Sequence, residues 1–158
     1  LFHNHMTIEL VAHFFDYGTP SGKRLVKLFR EEIFQEVASS ELEGLIFTYL
    51  WAFNEKTDWE YVSHVADIFK EKGGEVYYVE LEASLDERMK RNTTAHRLEH
   101  KPSKRNIELS EQRLKNSLVK YRLNSNEGEI KEANYIRINN THKTPISVAK
   151  EIKGKFSL

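Results

Sequence analysis

Between Arg88 and Arg105 the chain reads R-M-K-R-N-T-T-A-H-R-L-E-H-K-P-S-K-R. Arg88, Lys90, Arg91, Arg97, Lys101, Lys104 and Arg105 face a single acid, Glu99. The whole chain balances 24 Lys and Arg against 24 Asp and Glu, so this clustering is local. A guanidinium fork matches two oxygens of a phosphate or carboxylate at once, whereas a lysine supplies one mobile point charge. A basic connection interrupted by Pro102, with helical pattern on both sides, is suited to closing over a polyanion. The competing reading is an ordinary solvated loop.

Histidines offer a second chemistry. His3 and His5 are two apart, which puts both side chains on one face of an extended segment. They could begin a metal site, but no third ligand follows at a suitable spacing. His96 and His100 are four apart and align only if their segment is helical; Pro102 argues against a long helix there. The chain has no cysteine, which excludes disulfides and thiolate metal sites. It has no apolar run of the roughly 18 residues that a membrane helix needs. Neutral net charge gives no general attraction to nucleic acid or to an anionic membrane. The expected setting is the cytoplasm, with the sequons at Asn92 and Asn139 idle.

The elements that must position these groups follow from periodicity. At 158 residues a single domain is expected. Leu1 to His3 reads as the end of a strand, and Met6 to Phe15 as a helix. Asp16 to Gly22 is turn chemistry. Lys23 to Ala38 is an amphipathic helix with Leu25, Val26, Phe29, Ile33 and Phe34 on its buried face. Leu45 to Trp51 is nearly all apolar, which predicts a strand buried on both faces. A helix follows, capped by Thr57 or Asp58 and stopped by Gly73-Gly74. Val76 to Leu81 is the next strand. Ser84 to Glu87 is a capping box for a short helix through Arg91. After the basic connection, Asn106 to Arg122 is a helix, Tyr135 to Ile138 a strand, and a helix begins near Ile146. Strands alternating with helices predict an α/β chain with a mostly parallel sheet. Ligands of such sheets bind beyond the strands' carboxyl ends. Attention therefore falls on His3-Asn4-His5, on Trp51 to Asn54, on Ala83 onward, and on Asn139-Asn140-Thr141.

Four stretches in this order resemble the small-molecule branch of the P-loop kinases, close to shikimate kinase-like and AAA-type ATPase proteins. They are L-F-H-N-H-M-T-I-E-L, G-G-E-V-Y-Y-V-E-L-E-A-S-L-D-E-R-M-K-R-N, R-L-E-H-K-P-S-K-R-N and Y-I-R-I-N-N-T. The resemblance spans essentially the whole chain and implies a three-layer αβα fold over residues 1–158, with a mobile lid at about 92–106. It implies ATP and Mg²⁺ as cofactors and a small-molecule acceptor as partner. It gives lid arginines Arg97 and Arg105, then Arg91 and Arg88, the task of stabilising charge on the transferred phosphoryl group. His3, Asn4, His5 and Asp16 fall on the acceptor side, and Asn139, Asn140 and Thr141 beside the adenine. An ordinary turn is the competing reading of these last three, and an intrahelical partner that of Arg88.

The family's phosphate-binding loop, G-x-x-x-x-G-K-[ST], is not in this sequence. Gly18-Thr19-Pro20-Ser21-Gly22-Lys23-Arg24 is not a substitute. Its glycines are one residue too close, Arg24 stands where the hydroxyl should be, and no strand precedes it. The resemblance implies that a first strand, the loop and a first helix precede Leu1. Nor does an acid end the Leu45–Trp51 run, so a carboxylate for the nucleotide's metal cannot be assigned there. The leading expectation is an ATP-dependent phosphotransferase or related ATPase. Behind it stand a non-catalytic binding protein of the same fold and, last, an RNA-binding protein, for which the basic stretch lacks interleaved stacking aromatics.

Overall fold

The computed structural model describes residues 1–101 and 105–158. Pro102, Ser103 and Lys104, within the expected lid, lie outside the described residues. The chain folds as an α/β protein with two small parallel sheets, each of two strands. Two compact units carry them: Leu1–Trp51 with Lys56–Val76, and Ala52–Glu55 with Tyr77–Leu158. Among the described residues no helix is long and apolar enough to cross a membrane.

In the first unit, strand β1 (Phe2–His3) pairs with β2 (Phe47–Thr48), Phe2 opposite Phe47 and His3 opposite Thr48. Helices α1 (His5–Ala12) and α2 (Pro20–Ala38) form the crossover between them, and α3 (Lys56–Lys70) follows β2. The turn before α2 is set by Thr19. Its hydroxyl accepts from Gly22 N at 3.1 Å and donates to the Asp16 carbonyl at 2.7 Å. A Cβ at Gly22 would lie 2.3 Å from that carbonyl, so no larger residue fits without a shift. The Gly18–Arg24 stretch is thus a helix start with no strand before it. At the far end of α3, Gly73 takes φ 81° while Gly74 N donates to the Phe69 carbonyl at 2.9 Å, the left-handed stop that the glycine pair predicts.

The core of this unit is aromatic. Phe2, Phe34 and Ile68 are buried, and the Phe34 ring meets Phe47 at 5.0 Å, Phe2 at 5.7 Å and Phe69 at 6.3 Å. The expectation of a strand buried on both faces over Leu45–Trp51 is corrected here. Ladder pairing covers only Phe47 and Thr48, and Ile46 and Leu50 are 69% and 57% exposed. Side chains of an extended segment alternate, so Leu45, Phe47, Tyr49 and Trp51 turn toward the unit while Ile46, Thr48 and Leu50 do not.

In the second unit, β3 (Tyr78–Glu82) and β4 (Tyr135–Asn139) run parallel for five residues, from Tyr78 opposite Tyr135 to Glu82 opposite Asn139. Among the described residues helices α4 (Leu85–Asn92), α5 (Ala95–His100), α6 (Ile107–Lys120) and α7 (Pro145–Phe156) complete it. Each starts from a side-chain cap, respectively Ser84, Thr94, Asn106 and Thr144. Asn92 is buried, and its carbonyl oxygen accepts from the Ser110 hydroxyl at 3.1 Å, fastening α4 to α6. Its sequon is therefore a packing residue. Helix α5 runs through the expected lid. It is short enough to end before Pro102, and it aligns His96 with His100, their rings stacked at 4.3 Å.

Candidate functional site

In the second unit Asn139 closes β4, and Asn140 N donates to the Glu82 carbonyl at 2.8 Å. Arg91, in the last turn of α4, reaches this corner. Its Nη1 donates to the Asn140 side-chain carbonyl at 3.0 Å, and its Nη2 to the main-chain carbonyls of Asn140 at 2.7 Å and Thr141 at 3.3 Å. Nε–H goes to Glu87 at 2.7 Å. A guanidinium has five N–H donors, so these four bonds leave little for a ligand. Arg91 ties α4 to the turn after β4.

The same corner explains a departure from the expected capping box. Ser84 caps Glu87 N at 3.3 Å, but Glu87 does not answer by bonding Ser84 N. That N–H donates to the Thr141 hydroxyl at 3.0 Å, which frees the Glu87 carboxylate for Arg91. Arg91, Asn140 and Thr141 are thereby brought together, with Thr141 N donating to the Asn139 side chain at 3.0 Å.

The remaining arginines are placed differently. Arg105 is exposed and its Nε donates to the Leu98 carbonyl at 3.1 Å, holding the end of α5. The side chain of Arg88 makes no hydrogen bond or ion pair among the described residues, so the intrahelical partner weighed for it is not found. Arg97 differs from both. Its Nε is buried and makes no hydrogen bond, and burial pushes its guanidinium down from its ordinary range.

In the first unit His3 ends β1, Asn4 follows, and His5 opens α1. The Asn4 carbonyl accepts from Arg30 Nη2 at 2.7 Å and from the Thr7 hydroxyl at 3.3 Å. Arg30 Nε donates to that hydroxyl at 3.0 Å. Tyr61 lies close enough to feel the Arg30 charge without a well-formed hydrogen bond, and its hydroxyl is buried. Burial raises the Tyr61 phenol and Arg30 works against that rise. Tyr49 is raised more strongly, first by burial and then by its bond to Asp58 at 2.9 Å. Asp16, on the turn between α1 and α2, contributes its carbonyl to Thr19 while its side chain is exposed.

The most heavily bonded carboxylate was not among the sequence candidates. Glu80 receives Asn124 Nδ2 at 2.8 Å and Ser125 N at 3.0 Å on one oxygen, and the Ser125 and Tyr135 hydroxyls at 2.6 and 2.7 Å on the other. Burial alone would raise it, but the bonds from Ser125, Asn124 and Tyr135 prevail and hold it below the ordinary carboxylate range. Beside it, Arg137 pairs with Glu82 and donates to the Ser125 carbonyl at 2.9 Å. A signal for this cluster was present in the sequence. Glu80 and Glu82 on one strand, and Tyr135, Arg137 and Asn139 on the other, share the two-residue period of one sheet face.

Among the described residues no group of three or more His, Asp or Glu could hold a metal ion. Comparison of the chain with protein-family models, with curated proteins and with solved structures finds no match.

Proposed function

We propose that the chain belongs to an ATP-dependent phosphotransferase acting on a small acceptor, or to a related ATPase, built on a three-layer αβα scaffold. The observation that carries this reading is Arg97. A half-buried guanidinium with an unpartnered Nε–H, on the helix that follows a β3–α4 unit, is poised to meet oxyanion oxygens. Phosphoryl transfer asks a protein mainly for positioning and charge stabilisation, the work a guanidinium does best. In this reading Arg97 and Arg88 meet the transferring group, Arg105 holds α5, and Arg91 keeps α4 against the turn that edges the base.

The test is steady-state turnover of the intact protein with Mg·ATP. Arg97→Ala should lower kcat by roughly 10³-fold, about 4 kcal/mol, while nucleotide affinity changes far less. Turnover equal to that of the unaltered protein would remove Arg97 from this role. The second reading is a non-catalytic ligand-binding protein of the same fold. It is favoured by the Arg91–Asn140–Thr141 corner, whose polar groups bond one another. Saturable nucleotide binding without any hydrolysis or transfer would select it.

A further inference from the structure

Arg30 projects from the middle of α2 and is only 7% exposed, yet the groups it bonds are neutral: the Thr7 hydroxyl and the Asn4 carbonyl. Such acceptors solvate a guanidinium but do not neutralise it. Glu31, its neighbour on α2, is turned to His64, whose Nε2 lies 2.9 and 3.0 Å from the two carboxylate oxygens. Buried arginines are normally paired, because an isolated buried charge costs several kcal/mol. Two further polar atoms are buried without partners in the same unit: the Tyr61 hydroxyl, within reach of the Arg30 charge, and Nδ1 of His3, the residue before Asn4. A buried cation whose hydrogen bonds go only to neutral groups, beside a hydroxyl with no well-formed hydrogen bond, is what one oxyanion would complete.

We propose that Arg30 and Tyr61, with His3, form a binding site for a single small oxyanion, the carboxylate or phosphate group of a metabolite-sized ligand. Arg30 supplies the charge and its remaining N–H donors, the Tyr61 hydroxyl donates to a second oxygen, and Thr7 and the Asn4 carbonyl hold the fork in place. If the phosphotransferase reading stands, this anion belongs to the acceptor. The site itself does not depend on that reading.

The experiment titrates the full chain with inorganic phosphate and, separately, with acetate at matched ionic strength, reading heat of binding and Tm. The unaltered protein should bind one of them saturably, and whichever binds tighter identifies the source chemistry. Arg30→Met should abolish that binding. Tyr61→Phe guards against a variant that simply fails to fold. It removes a hydroxyl that makes no well-formed hydrogen bond, so the unliganded protein should keep its melting temperature closely, while anion affinity falls about tenfold through loss of one charge-assisted bond. Absence of saturable binding to both anions, or unchanged affinity in a folded Tyr61→Phe protein, would overturn the site. Oxyanion binding lost in Arg30→Met, in a protein that never turns over ATP, would uphold the site and defeat the phosphotransferase.

Discussion

Glu80 shows how far a single side chain can be committed to structure. Only 8% of its side chain is exposed, and four hydrogen bonds converge on its two oxygens, both of which accept better when the group is ionised. Its carboxyl titrates lower in the folded chain than in the unfolded one, which fixes the sign of the pH effect. The stabilisation is fully present above the unfolded value and is lost as pH falls through the folded value. Glu80→Gln keeps the shape but turns one acceptor oxygen into a donor facing the Ser125 and Asn124 donors. Urea unfolding near neutral pH should show a loss of about 1–3 kcal/mol. At about pH 3, where part of the ionised form's advantage has gone, the gap between variant and parent should narrow. A gap that stays constant across that range would mean the carboxylate's charge contributes nothing.

At the scale of elements, the helices and three of the strands were legible, and the extent of β2 was not. Lys23–Ala38, Leu85–Arg91 and Asn106–Arg122 stand within a few residues of α2, α4 and α6, because a 3.6-residue stripe and a side-chain cap are local signals. The Leu45–Trp51 run misled, since apolar content does not reveal whether a second face will be covered; that is decided by elements distant in sequence. Of the site, the strand-end positions were legible and the partners were not. That Arg91 would meet Asn140 and Thr141, 49 and 50 residues away, depends on the β3–β4 register and on no pattern within either segment. This corner gives a test that separates fastening from catalysis. Arg91→Lys keeps the positive charge but loses the fork that spans Glu87, Asn140 and Thr141. It should cost about 1–3 kcal/mol of stability by urea unfolding. If Arg91 instead acted mainly as a charge on a ligand, the lysine variant would keep its stability.

At the scale of the whole molecule, the chain's two tryptophans make its cooperativity measurable. Trp51 and Trp59 both belong to the first unit, their rings 4.6 Å apart, so tryptophan fluorescence is read from residues of that unit. Far-UV circular dichroism reports helices of both. Among the described residues each unit has two parallel strands, and such a pair is not stable without helices packed on it. The first draws on the Phe2, Phe34 and Ile68 core, whereas the second carries polar fastenings around Glu80 and Arg91. A substitution in one unit should therefore be felt unevenly. Glu80→Gln should shift the urea midpoint of the dichroism transition more than that of the fluorescence transition. Phe34→Ala, which empties a fully buried ring position at a cost of about 3–5 kcal/mol, should do the reverse. Coincident shifts in both signals for both variants would show that the chain unfolds as one cooperative body. The two cores would then be one thermodynamic unit despite their separate contacts.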